Sequence, residues 1–371
     1  MSTKVCHLTS AHTPEDIRIF VKECSTLAKA GFDVHLVATG NVPNYSKNNV
    51  NIHLVPKRKG GRFDRMYHSV NDVLNKALEI DAEIYHFHDP ELLRIALKLK
   101  AKGKKVIFDS HEDLPRQIMG KYWIPKLFRS LVSNAFEIYE NYVVSKIDGV
   151  VAATPIIRDR FLKVNSNVVD VNNFPLLGEF SEEPDFSHPK KEQVCYVGGL
   201  AEVRGISYLV KSMVHLPNLR LKLGGFFSPE SYHDVIKSLP GYDKVDFLGM
   251  LNREQVKNLL ASSKVGLVTL LPTPNILDSQ PIKLFEYMAA GLPVVASDFP
   301  LWRKIIDDAE CGICVDPHNP TQIADAIKKI TTNPDLARKM GESGRKMVVE
   351  KYNWESQEPV LIEFYNKILS A

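Results

Sequence analysis

Long apolar runs are missing from the 371-residue chain, and none approaches the roughly 18 residues that a membrane-crossing helix needs. A surplus of one charge is missing too. Lys+Arg 47 against Asp+Glu 44 leaves +3, which excludes the strong basic bias of a dedicated nucleic-acid binder. Cysteine is sparse and odd in number. Cys6, Cys24, Cys195, Cys311 and Cys314 lie mostly in apolar segments, which argues against a disulfide framework and for a reducing compartment. Residues 1–7 have no signal-peptide layout and enter directly into a strand-like run, so a cytoplasmic protein is expected. Internal repeats and low-complexity tracts are absent. What remains is the composition of a folded protein, 44% hydrophobic and 25% charged, in a length that exceeds one ordinary core. Two domains are the expectation.

The first half alternates short apolar runs with helical periodicity. After the run at 5–8, Ile17, Phe20, Val21, Cys24, Leu27 and Ala28 form one helical face, and Gly31 suits its C-terminal cap. Strands are expected at 33–38, 84–88, 106–109 and 150–153. A proline-punctuated, weakly periodic stretch at 172–191 reads as a linker. Alternation resumes at 194–197, 219–223, 245–248, 265–271, 293–296 and 312–315, and the chain then turns helical. The expected architecture is α/β, with two Rossmann-like doubly wound domains facing across a cleft: residues 1–172, residues 173–353, and a final helix at 354–371 returning to the first domain. Such folds bind ligands at the carboxyl ends of their strands, so the strand-to-helix turns carry the chemistry.

Two turns stand out in the second half. At 196–205, Gly198 and Gly199 leave a strand and let backbone approach a ligand closely, while Arg204 offers a fork of donors suited to phosphate. At 278–293, Pro281 and Gly291 bracket a helix whose first turn carries Lys283. The helix dipole disfavours a cation there, and a bound anion would remove the conflict. Glu286, three residues on, projects to about the same side and suits a ribose diol.

The run Lys283-Leu284-Phe285-Glu286-Tyr287-Met288-Ala289-Ala290-Gly291-Leu292-Pro293 resembles the donor-site signature of glycosyltransferase family 4. Val197-Gly198-Gly199-Leu200 with Arg204-Gly205, Leu223-Gly224-Gly225 and Phe247-Leu248-Gly249 resemble further segments of that family. The resemblance implies a retaining enzyme of GT-B fold that moves a sugar from a nucleoside diphosphate donor to a saccharide or lipid-linked acceptor, as in polysaccharide or glycoconjugate assembly. It implies that Gly198, Gly199, Arg204, Lys283 and Glu286 bind the donor. Asp278 falls on the first acid of the family's Glu-x7-Glu pair, near the sugar. The sequence departs at three places: Asp278 replaces a glutamate, Gly199 stands where an arginine is usual, and 10–18 replaces a Gly-Gly loop. Epimerases and phosphorylases share the fold, and a nucleotide-sugar-binding protein without catalysis is a further reading.

In the first half, Asp109-Ser110-His111-Glu112-Asp113 follows a strand and faces the expected crevice; by resemblance His111 contacts the transferred sugar. His86 and His88 share a strand face, but with His111 and Asp113 they fit no zinc spacing, so neither metal nor cofactor is expected. Asp89 and Glu91 could line the acceptor side. Cys311-Gly312-Ile313-Cys314 opens a strand and has no second pair, which points to packing rather than redox or metal chemistry. Two stretches could touch the inner membrane face: the basic cluster Lys57, Arg58, Lys59, Arg62 and Arg65, and the aromatic-basic segment 121–129.

Overall fold

The computed structural model describes residues 2–58, 60–61, 64–121, 124–180, 184 and 190–370. Lys59, Arg62, Tyr122, Trp123 and most of 181–189 in the expected linker lie outside the described residues. By internal contact the chain divides into one unit made of Met1–Asn173 with Trp354–Ala371 and another made of Phe174–Asn353.

The first unit is built on β1 (Lys4–Leu8), β2 (Asp33–Gly40), β3 (Tyr45–Lys47), β4 (Val50–Pro56), β5 (Ile84–Phe87), β6 (Lys105–Ser110), β7 (Gly149–Ala152) and β8 (Val168–Asp170). They run in the order β3-β4-β2-β1-β5-β6-β7-β8, parallel except for the β3–β4 edge pair. The central strands read as unbroken apolar runs because helices cover both faces: every residue of β5 and β7 is buried. The second unit holds β9 (Gln193–Val197), β10 (Arg220–Gly224), β11 (Val245–Gly249), β12 (Gly266–Val268), β13 (Val294–Ser297) and β14 (Gly312–Val315), all parallel, in the order β11-β10-β9-β12-β13-β14. β12 ends at Val268 although the apolar run continues to Leu271, because there the chain leaves the sheet yet stays covered, Leu271 N donating to the Val203 carbonyl at 2.9 Å.

Six helices position the residues discussed below: α1 (Ile17–Cys24), α2 (Leu114–Met119), α3 (Lys126–Val144), α4 (Ile206–Ser212), α5 (Ile282–Ala289) and α6 (Glu358–Ser370). Side-chain caps start α1 and α2, where Asp16 accepts from the Arg18 and Ile19 amides and Asp113 from the Arg116 amide. α6 and the turn before it belong to the first unit by packing. Leu361, Phe364, Tyr365 and Ile368 are buried, and each such side chain contributes roughly 1.5–3 kcal/mol relative to exposure. Trp354 is fully buried and donates to the Thr26 hydroxyl at 2.9 Å. Gly149 in β7 makes room for this helix: a β-carbon there would stand 2.5 Å from the Phe364 ring.

Candidate functional site

In the second unit the strand-end turns after β9 and before α5 come together. Gly198 has φ of +136°, a value side-chain-bearing residues rarely adopt, and a β-carbon on it would stand 2.8 Å from Lys283 Nζ. The glycine therefore lets the lysine lie against the turn. Nothing stands within 4 Å of a β-carbon built on Gly199, so that position opens onto free space. Lys283, in the first turn of α5, lies with its ammonium 3.7 Å from the centroid of the Tyr196 ring. Tyr196 donates its hydroxyl to the Gly199 carbonyl at 3.1 Å, and the Tyr287 hydroxyl accepts the Val197 amide at 3.0 Å, which ties the turn to α5. Burial, and then the neighbouring Arg204, push the Lys283 pKa well below its ordinary value, with Glu286 opposing. Two basic groups thus converge beside a helix N-terminus, an arrangement suited to an anion.

Glu286, on the same helix, is held from outside it. Its Oε1 accepts Arg253 Nη1 at 2.9 Å, and the other end of that guanidinium reaches Glu179 at 2.6 Å. Oε2 is left as an acceptor on a side chain that is largely buried. Asp278 caps the short helix Pro274–Leu277 and is exposed. Its turn is anchored by the buried Trp302, whose indole donates to the Ser279 carbonyl at 2.7 Å. α5 begins at Ile282 with Pro281 as its cap, one residue later than the sequence pattern places it.

In the first unit His111 stands at the edge of a buried polar network. Its Nε2 lies 2.8 Å from Asp109 Oδ2, which also lies 2.9 Å from His88 Nδ1. Arg18 grips the same carboxylate with Nε at 2.9 Å and Nη2 at 2.7 Å, and donates Nη1 to the Val171 carbonyl at 2.9 Å. Register sets the next members side by side: His7 in β1 is paired with His86 in β5. His7 Nδ1 lies 2.9 Å from His88 Nε2, and the Tyr365 hydroxyl of α6 bridges His86 Nδ1 at 2.7 Å and His7 Nε2 at 3.2 Å. Burial keeps these imidazoles neutral, with the His88 pKa lowered to about 4 despite Asp109. Burial, reinforced by Asp109, raises the Glu23 carboxyl, while Arg18 opposes. His7, Glu23, His86 and His88 offer ligand atoms within 4.8 Å of one another, as do His88, Asp109 and His111. In both groups the Arg18 guanidinium already supplies positive charge to the carboxylates, 3.2 Å from Glu23 and 2.7 Å from Asp109.

Asp89 borders a strand-end cavity, as its position suggests, and also ties down the loop after β1. It is buried, and its Oδ2 accepts the Ser10 and Ala11 amides at 2.6 and 3.1 Å and the Thr9 hydroxyl at 2.8 Å, while Oδ1 faces His12 at 2.9 Å. It holds the loop after β1 closed on the strand ends. His12, Asp89, Asp109 and His111 border a cavity of about 890 Å3. Cys311 and Cys314 are free thiols whose pKa values burial raises to about 12, which suits packing. Arg58 of the basic cluster is paired with Asp72 at 2.7 Å. Among the described residues no helix is long and apolar enough to cross a membrane.

Sequence reasoning gave no role of their own to Arg18, Glu23, Asp109, Tyr196, Arg253 and Tyr365. One of them leaves a signal: Asp109 follows directly on the apolar strand run Val106-Ile107-Phe108. Arg253 and Tyr365 leave none, since each partners a residue far away in sequence.

Residues 179–347 match the family model described as glycosyl transferases group 1, and residues 19–172 match glycosyltransferase family 4. A Methanocaldococcus jannaschii protein described as an uncharacterized glycosyltransferase is 29% identical over 179 residues, 47% of this chain and 45% of that one. The chain spans about half the length of such curated relatives. Among solved structures, sucrose-phosphate synthase from Thermosynechococcus elongatus superposes with a TM-score of 0.80 at 18% identity, covering 99% of both chains. Anabaena HepE, solved with UDP-glucose, superposes with a TM-score of 0.75 at 13% identity, covering 98% of this chain and 99% of that one. The fold, two α/β domains on parallel Rossmann-like sheets, is that of the GT-B glycosyltransferases. With one glycosyltransferase model matching in each unit, the chain belongs to the glycosyltransferases of family 4 type.

Proposed function

We propose that the chain transfers a sugar from a nucleoside diphosphate donor to an acceptor hydroxyl with retention of anomeric configuration. The observation that carries this reading is the convergence of Lys283 and Arg204 on the Gly198 turn at the N-terminus of α5. Those groups are preorganised to stabilise the charge that develops on a departing diphosphate. Glu286, steadied by Arg253, accepts ribose hydroxyls through Oε2. Asp278 orients the sugar from its exposed turn, and His111 meets the transferred sugar, with Asp109 holding its Nε2 so that Nδ1 is left to act. The mechanism proposed for retention is departure and attack on one face of the sugar through an ion-pair-like state, without a covalent intermediate. That HepE, of the same fold, is solved with UDP-glucose supports the donor class.

A thermal-shift screen against nucleoside diphosphates and their sugars tests the donor, since a ligand that binds only the folded state raises stability by mass action. A shift with at least one nucleoside diphosphate is expected; none with any would reject the reading. Proton linkage gives a sharper check. Lys283 has a lowered pKa in the free protein, and a bound diphosphate raises it, so binding takes up a proton at pH values between the two. Calorimetry in buffers of different ionisation heat is expected to show that uptake, and Lys283→Met to remove it. Uptake that persists in the variant would assign the proton elsewhere.

A further inference from the structure

We infer that the turn Leu177–Phe180, in the segment that reads as a linker, belongs to the donor site: Glu179 draws Arg253 aside so that Glu286 keeps one carboxylate oxygen open to a ribose diol. The inference rests on the donor reading, and it makes Glu179 and Arg253 positioning residues that act through Glu286. Arg253 donates Nη1 to Glu286 Oε1 at 2.9 Å and Nη2 to Glu179 Oε2 at 2.6 Å, so the guanidinium is divided between two carboxylates. A guanidinium with a single carboxylate readily pairs through both oxygens. Without Glu179, Arg253 would close on Oε1 and Oε2 of Glu286 together, and a ribose would meet a carboxylate already occupied. With Glu179 in place, Oε2 stays an acceptor.

Each member of the triad is held from behind. Arg253 opens the helix Arg253–Ser262, and a capping box fixes that start: the Asn252 side chain accepts the Gln255 amide at 2.9 Å, and the Gln255 side chain accepts the Asn252 amide at 2.9 Å. A cation in a first turn opposes the helix dipole, and the two carboxylates offset that conflict. Glu179 is placed by the apolar residues before it. Phe174 is buried and meets the Phe285 ring of α5 edge-on, with centroids 4.8 Å apart, and Leu177 packs on the same core. Phe285 directly precedes Glu286, so the start of the linker and the ribose acceptor are fastened to one turn of one helix. The triad is only partly buried: the side chains of Arg253 and Glu179 are 46% and 28% exposed, against 15% for Glu286. Ion pairs this exposed add little to folding, which leaves the orientation of Glu286 as what the bridge contributes.

The test uses the full chain in calorimetry with UDP, GDP, ADP and CDP, each beside its 2′,3′-dideoxy counterpart, and with inorganic diphosphate. In the parent the ribose form is expected to bind at least about tenfold more tightly than the dideoxy form, the size of one hydrogen bond to a charged group. Glu179→Ala is expected to abolish that preference while leaving the binding of inorganic diphosphate, and the Tm, unchanged. Adding Arg253→Met to Glu179→Ala removes the guanidinium that has closed on Glu286, so the ribose preference is expected to return. A bridge that served only to hold the fold would lower the Tm further in the double variant and recover nothing. A ribose preference that survives Glu179→Ala, or one that the double variant does not recover, overturns the inference. Binding by none of the four ribonucleotides rejects the donor reading itself. Binding without any ribose preference in the parent rejects this inference and leaves the diphosphate site standing.

Discussion

Lys283→Ala is expected to weaken nucleoside diphosphate binding at least roughly 30-fold, the lower end of the ~2–5 kcal/mol that truncating one partner of a buried charge pair costs. The size follows from the surroundings. Lys283 is half-buried, with its ammonium against the Gly198 turn and the Tyr196 ring, so water replaces it only in part. In the free protein the same burial, together with Arg204, disfavours the charge, so the lysine contributes little to folding and the variant remains folded. Calorimetry with the diphosphate identified by thermal shift measures the loss, and circular dichroism confirms the fold. Unchanged affinity in a folded variant would remove Lys283 from the donor site. Glu286→Ala offers a contrast: it deletes the ribose acceptor but leaves both cations, so its penalty is expected to grow from inorganic diphosphate, where it is absent, to the nucleoside diphosphate.

Asp109→Ala is expected to have the largest effect on stability. It leaves the Arg18 guanidinium, which is 4% exposed, without the bidentate carboxylate that now neutralises it. Removing one partner of a buried pair costs about 3–5 kcal/mol, and for a unit of this size that corresponds to a fall in Tm of about 10 °C. Part of the loss is recoverable. Asp109 is what raises the Glu23 carboxyl beyond the effect of burial, so in its absence Glu23 ionises more readily and takes up the guanidinium 3.2 Å away. The double substitution Arg18→Met with Asp109→Leu, which removes both charges, is expected to lie closer to the parent than the single variant. A fall in Tm of only a degree or two in Asp109→Ala would show that the network does not hold the first unit together.

The alternation of elements was readable because parallel strands covered on both faces are apolar throughout, while the helices show their buried side every three to four residues. The same logic hid β3, β4 and β8. β4 alternates buried and half-buried positions near the sheet edge, and β3 and β8 are three residues each. It also lengthened β12, since hydrophobicity cannot separate a strand from a buried connection such as the one leading to Leu271. In the candidate donor site, Lys283 and Glu286 were legible because one helix carries both at a fixed spacing. Arg253, 33 residues before Glu286, was not, since the pairing exists only after α5 and the helix Arg253–Ser262 have packed. The network around Asp109 was illegible for the same reason. Its charged members sit inside apolar segments, where a sequence reader expects hydrophobic residues, and Arg18 and Asp109 are 91 positions apart. Asp89 was legible only in part: its position at a strand end does border the cavity, while the loop amides and His12 that take up its carboxylate left no signal.

Sugar transfer itself is tested most directly by turnover. The chain is incubated with the nucleotide sugar that gives the largest thermal shift, with an alkyl glycoside as acceptor, and the anomeric protons are followed by NMR. Release of the nucleoside diphosphate with the sugar appearing in its original anomeric configuration is the expected result. A donor that binds but is never consumed, or a product of inverted configuration, would contradict it.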